Sequence, residues 1–120
     1  TNESVNYPDL AEKICLRLIN DFKSFPEHVA HEDAFAYKSV GILVCGSGQG
    51  MAMKANKYPG IRAALCWNEE ITRLSREHNN ANILCLPGRY INSATALQMV
   101  KVFLTTPFAK GRHSVRVDKI

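Results

Sequence analysis

Apolar positions in the first part of the chain recur three and four apart. Leu10, Ile14, Leu18 and Phe22, flanked by Ala11, Cys15 and Ile19, form one broad stripe at helical spacing. Asn6-Tyr7-Pro8-Asp9 is a helix start: Asn6 to cap, a proline tolerated in the first turn, and an acid that complements the helix dipole. Lys23-Ser24-Phe25-Pro26 ends the stripe. From Glu27 to Lys38 the pattern dissolves into a polar connection carrying His28, His31, Glu32 and Asp33, which reads as a loop. At Val40 the period changes. Val40-Gly41-Ile42-Leu43-Val44 is a continuous apolar run of buried-strand length, and it leads straight into Cys45-Gly46-Ser47-Gly48-Gln49-Gly50. Met51 to Lys57 is a short helix of good helix formers, and Tyr58-Pro59-Gly60 is a turn.

The second half repeats the alternation. Ile61 to Cys66 reads as a second buried strand. Asn68 caps a helix with an acidic first turn, with Glu69 and Arg73 at i, i+4. His78 lies seven residues after Ile71 and four after Leu74, on the inward face, and Asn79 and Asn80 suit a C-cap. Asn82 to Leu86 is a third strand, closed by Pro87-Gly88-Arg89-Tyr90. Ser93 caps a helix with Leu97, Val100 and Leu104 inward, which Thr106-Pro107 stops. Gly111 to Ile120 is a basic tail with room for one or two helical turns. Alternation of this kind predicts an α/β fold: a single domain over residues 1–120 with a three-layer α/β/α, Rossmann-like parallel sheet. Ligands in such sheets bind beyond the carboxyl ends of the strands, which places Cys45 to Gly50 and Arg89 on the same edge.

Composition narrows the partners. At 120 residues with 46% hydrophobic and 22% charged positions, the chain has the make-up of a soluble domain with one core. No apolar run is long enough to span a bilayer, so no membrane partner is expected. Cys15, Cys45, Cys66 and Cys85 contain no CxxC pair, and three of them sit in apolar patterns. Buried free thiols and a cytoplasmic location are therefore expected. The net charge of +4 is modest, and basic residues gather only at Lys110, Arg112, Arg116 and Lys119, which suits a small anionic ligand rather than nucleic acid. His28 and His31 could hold a metal only with a third ligand, and none converges in sequence; they read as solvated surface, with no metal site.

The glycine stretch carries the candidate chemistry. Gly46, Gly48 and Gly50 are evenly spaced, so the G-x-G-x-x-G dinucleotide fingerprint fails. A P-loop needs G-K-[ST] after its last glycine, and Met51-Ala52 stands there. A cysteine phosphatase needs an arginine about six residues past the thiol, and that position is Met51. What remains is a nest of backbone N–H groups beside Cys45, for a phosphate or a developing oxyanion. In the tail, Arg112 and Arg116 at i, i+4 would present two guanidinium forks on one helix face, suited to a phosphate dianion.

Four motifs then occur in order: Cys45-Gly-Ser-Gly-x-Gly-Met, Asn56-Lys57-x-Pro-Gly-Ile-Arg-Ala-Ala-Leu-Cys66, Ser75-Arg-Glu-His78-Asn79-x-Ala-Asn82 and Gly111-Arg112-His113-x-x-Arg116-Val117. Together they resemble the ribose-5-phosphate isomerase B family, which includes the galactose-6-phosphate isomerase subunits. The resemblance covers nearly the whole chain from Ser4. It implies an aldose–ketose isomerase without cofactor, in which Cys45 moves a proton between C1 and C2 of the open-chain sugar phosphate. Gly46, Ser47, Gly48, Gln49 and Gly50 match the loop that holds the enediolate, with serine where threonine is common and Gln49 where a smaller or apolar residue is frequent. His78 matches the ring-opening histidine and Asn79 its neighbouring substrate ligand. Arg89, Arg112 and Arg116 match arginines that bind sugar hydroxyls or phosphate, partly across a dimer interface, and Tyr7 matches a tyrosine bordering the pocket. A homodimer or a dimer of dimers with a shared site is thus expected. Ribose 5-phosphate and ribulose 5-phosphate are the expected pair. A six-carbon sugar phosphate, or a sugar-phosphate-binding subunit without activity, are the alternatives. Family members open with a β-α-β unit of roughly thirty residues whose first strand ends in an Asp-His pair. No Asp-His dipeptide occurs here, so the domain is expected to be N-terminally incomplete relative to the family.

Overall fold

A computed structural model of the chain describes residues 6–23 and 39–120. The predicted loop over 27–38, with His28 and His31, lies outside the described residues. The elements run α1 (Tyr7–Phe22), β1 (Gly41–Cys45), α2 (Gln49–Ala55), β2 (Ala63–Leu65), α3 (Glu69–Asn79), β3 (Ile83–Pro87), α4 (Ser93–Thr105) and α5 (Arg112–Asp118). The three strands are parallel in the order β1-β3-β2. In register, Gly41 faces Ile83 at one end and Cys45 faces Pro87 at the other. All five residues of the central strand β3 are buried, as its continuous apolar run requires.

One core joins α1 and α2 to one face of the sheet through Ala11, Cys15, Leu18, Leu43, Met51, Ala55, Ile83 and Cys85. The other joins the opposite face to α4 through Leu84, Leu86, Met99 and Phe103. Successive β3 side chains alternate between the two cores, the period-2 signature of a strand covered on both sides. This is the expected three-layer α/β/α arrangement. Among the described residues no helix is long and apolar enough to cross a membrane.

Several local expectations are corrected. Asn92, not Ser93, caps α4, accepting from Thr95 N at 2.8 Å. Leu97 and Leu104 are 69% and 49% exposed, while Met99 and Phe103 face the sheet. The helix carries two apolar stripes, and the one holding the larger aromatic turned inward. On α1 the buried centre is Ala11, Cys15 and Leu18, with Leu10 exposed, and Asn6 makes no side-chain cap bond. Arg73 pairs with Glu77 at 2.9 Å rather than with Glu69.

The second strand is three residues, not six, because asparagine side chains take over where the ladder stops. Asn56 donates to Ala63 O (2.9 Å) and accepts from Ala63 N (2.8 Å). The buried Asn82 accepts from Arg62 N and donates to Gly60 O, both at 2.8 Å. These amides satisfy backbone groups that a neighbouring strand would otherwise pair.

Candidate active site

The sequence-predicted site residues form two groups, at opposite ends of the strands. The first surrounds the carboxyl end of β1. Cys45 closes that strand and is half-buried, while Cys15, Cys66 and Cys85 are fully buried free thiols. Burial pushes the Cys15 and Cys66 thiols up, and it pushes Cys85 up to about 12, so these three stay protonated packing groups.

The turn after β3 is fastened to the glycine loop. Gly88 N donates to Cys45 O at 2.7 Å and Arg89 N to Gly46 O at 3.0 Å. The Arg89 side chain lies across Gly46, where a methyl group would stand 3.3 Å from Nε and 3.5 Å from Cζ. Gly48 has φ 77° and ends the loop directly at the start of α2, two residues earlier than the predicted helix. A methyl there would fall 2.6 Å from Leu65 Cδ1 and 3.3 Å from the Leu86 carbonyl carbon. Both its backbone and its surroundings therefore demand glycine. Gly50 packs against the Tyr7 ring so closely that a methyl would overlap it, which brings the first residue of α1 to the loop.

Ser47 and Gln49, both exposed, line an open cleft of about 290 Å³ with Leu65, Trp67, Pro87 and Tyr90. Ser47 Oγ also accepts from Gln49 N at 3.4 Å. Trp67 and Tyr90 were not singled out from sequence. Each follows the end of a strand by two or three residues, and the rule that sites gather at carboxyl ends is the signal that finds them.

The second group sits at the amino ends of the strands. His78 is half-buried but does not face the core: the inward residues of α3 are Thr72, Ser75 and Arg76. His78 instead stacks on His113 of α5, ring centroids 4.3 Å apart and planes 15° from parallel. Asn79 is exposed, and Asn80 forms the expected C-cap at φ 48°. Arg112 and Arg116 are exposed one turn apart on α5. Partial burial and the neighbouring His78, Arg112 and Arg116 hold the His113 imidazolium below histidine's ordinary value, against an opposing pull from Glu77.

Sequence reasoning missed the residue that frames this group. Arg76 is fully buried. Its Nε donates to Thr106 O at 3.0 Å, and Nη1 donates to Asn80 Oδ1 at 2.9 Å and Ala81 O at 2.7 Å. Its guanidinium lies 5.8 Å from the Phe103 ring centroid. The end of α3 is thereby stapled to the segment that leads into α5, and Ala109 N adds a bond to Glu77 O at 3.0 Å. A buried guanidinium needs such a full set of acceptors, and no periodicity reveals where they will come from.

The two groups do not meet within one chain. β3 starts four residues after Asn79 and ends at the level of Cys45. A strand of that length separates its ends by about 13 Å. Tyr7, Cys45, the glycine loop and Arg89 therefore stand on one edge of the sheet, and His78, Asn79, Arg112 and Arg116 on the other.

Fold and site together define a parallel α/β protein with a thiol and a glycine nest at its carboxyl edge and an arginine–histidine cluster at its amino edge. Over residues 1–120 the sequence matches the model of the Ribose/Galactose Isomerase family, and the chain belongs to that family. A Mycoplasma genitalium protein described as a probable ribose-5-phosphate isomerase B is 46% identical over 83 residues, covering 69% of this chain and 55% of its own length. The chain thus spans about half the length of that relative. The crystal structure of a ribose 5-phosphate isomerase from Thermotoga maritima superposes with a TM-score of 0.83 at 44% identity, covering 99% of this chain and 72% of that one. Ribose-5-phosphate isomerase B from Mycoplasma genitalium, solved with bound ribulose 5-phosphate, superposes at 0.78 with 36% identity, covering 98% and 68%.

Proposed function

We propose that this chain is an aldose–ketose isomerase acting on a phosphorylated sugar, with ribose 5-phosphate and ribulose 5-phosphate as the pair. The observation that carries the reading is the placement of Cys45: a partly exposed thiol at a strand's carboxyl end, beside a glycine loop and Arg89, in a chain of this family. An aldose–ketose shift needs a base at C2 and donors aimed at the oxyanion that develops on O1. Cys45, as thiolate, takes the C2 proton. The C2–H electron pair becomes the C1–C2 double bond, and the carbonyl pair moves to O1. Loop N–H groups from Gly46 to Gly50 and the Ser47 hydroxyl hold the resulting enediolate. The proton then returns from Cys45 to C1, taking the C1–C2 double-bond pair, while the O2 proton passes to O1 and the O2–H pair forms the C2 ketone. Ring opening precedes this step. His78 takes the anomeric hydroxyl proton, the bond from C1 to the ring oxygen breaks, and that oxygen is protonated to leave the aldehyde. Asn79 orients the same end of the sugar, and Tyr7 borders it. Arg112 and Arg116 bind the phosphate, with Arg89 on a sugar hydroxyl, so binding energy far from C1 and C2 aligns the reacting end.

The placement of the two groups on opposite edges supports a homodimer whose site is shared, one copy supplying Cys45, the loop and Arg89, its partner supplying His78, Asn79, Arg112 and Arg116. A cytoplasmic location rests on the free thiols, which a reducing compartment preserves.

The test is an isomerase assay on ribose 5-phosphate and on galactose 6-phosphate with the chain and with Cys45→Ala. Turnover of the pentose that Cys45→Ala abolishes is the expected result. Turnover surviving that substitution would remove Cys45 as the base. Preference for the hexose would change the substrate, and absence of turnover in the unsubstituted chain would refute the enzyme reading. Arg112→Ala and Arg116→Ala are each expected to raise KM by about 1.5–3 kcal/mol equivalent, the worth of a charge-assisted contact.

A further inference from the structure

The stack between His78 and His113 is not explained by packing alone. His113 stands on a seven-residue helix none of whose residues is fully buried. Its ring could have turned to solvent as its neighbours Arg112 and Arg116 do. Instead it lies face to face with His78 at 4.3 Å and 15°, within the range of offset aromatic pairs. The end of α3 and the segment leading into α5 are tied together independently of the rings. Arg76 bonds Thr106 O, Asn80 Oδ1 and Ala81 O, and Ala109 N bonds Glu77 O. The rings therefore meet on a frame that is already rigid, and the stack limits rotation of the His78 imidazole about its side-chain torsions.

We propose that His113 is a positioning residue for His78, fixing the plane of its imidazole so that one ring nitrogen is presented outward toward the sugar ring while the opposite face is covered. The inference rests on the reading of His78 as the ring-opening residue. Desolvation of the ring, and then the neighbouring His78, Arg112 and Arg116, disfavour a charge on His113, against an opposing pull from Glu77, which suits a ring that packs face to face with its neighbour.

Imidazole NMR of the wild type, His113→Ala and His113→Phe tests the placement directly. The His78 Cε1–H resonance is expected to carry a ring-current shift in the wild type, to lose it in His113→Ala and to keep it in His113→Phe. A wild-type resonance that His113→Ala leaves in place overturns the proposal, whatever the protein's activity. Kinetics test the consequence. In His113→Ala, kcat on ribose 5-phosphate is expected to fall about two- to tenfold, the range a stacked pair is worth, with KM little changed and with rescue by His113→Phe. A loss that His113→Phe does not restore, or one confined to KM, would also overturn it, since it would trace to the tail's grip on phosphate. A wild type that shows the ring-current shift but no turnover would leave the positioning intact and refute the isomerase reading instead. Circular dichroism of the two variants separates loss of the ring from loss of the helix, and a folded His113→Phe suffices for the comparison.

Discussion

If the site is shared between copies, two inactive variants should repair one another. Cys45→Ala removes the proposed base from one edge of the sheet, and His78→Ala removes the histidine from the other, about 13 Å of strand away. In a mixed dimer one site inherits both lesions and the second inherits neither. With equal amounts and free exchange half the dimers are mixed, so about a quarter of wild-type activity returns. The assay is ribose 5-phosphate turnover by each variant alone, by the mixture before exchange, and by the mixture after mild denaturation and refolding, with a mass-tagged copy to show that exchange took place. Rescue to that level requires the two residues to act from different chains. Exchanged mixtures that stay as inactive as their parents would mean that Cys45 and His78 serve the same chain, and the shared-site reasoning would fail.

Other consequences follow from packing and charge. Arg76→Met leaves three acceptors without their buried donor, and a loss of about 3–5 kcal/mol in urea unfolding is expected; a loss under 1 kcal/mol would show that the staple is dispensable. Gly48→Ala must adopt φ 77° and meets Leu65 and Leu86. It should cost at least about 1–2 kcal/mol and most of the isomerase activity, and an unimpaired variant would show that the loop relaxes freely. One thiol in four should react rapidly with a thiol reagent in the native state, and Cys45→Ser should abolish that phase. At high pH, Cys85 sets a limit. Its thiol is raised from 9.0 to about 12 in the fold, so its contribution is complete below pH 9 and is lost as the unfolded thiol ionises first. The loss reaches about 4 kcal/mol at most by pH 12, and the stability–pH slope should flatten in Cys85→Ala.

Much of the architecture was legible without coordinates because its signals are local. The apolar run before Cys45 and the run from Ile83 read as buried strands, and the helices between them imply a parallel sheet, as observed. The carboxyl-edge rule then joined Cys45 to Arg89, which the bonds from Gly88 and Arg89 to the glycine loop bear out. Errors arose where two local patterns competed. α4 offers both Leu97/Leu104 and Met99/Phe103 at helical spacing, and only the shape of the opposing sheet face selects between them. The same applies to α3, whose inward positions are polar. Thr72 and Ser75 satisfy their hydroxyls locally, on Asn68 O and Thr72 O, but the buried Arg76 depends on Thr106 O, which no local pattern brings to it.

The order of elements, the glycine loop and the identity of each candidate side chain were thus determined by the sequence alone, since helical and strand periods and backbone sterics act over a few residues. Which edge of the sheet each candidate occupies was decided only by the tertiary structure. His78 belongs to the same chain as Cys45 yet stands at the other end of the strands, because a helix that follows one parallel strand must return to the amino edge before the next can begin. That return separates Cys45 from His78, stacks His78 on His113, and leaves Arg76 buried at the end of the same helix.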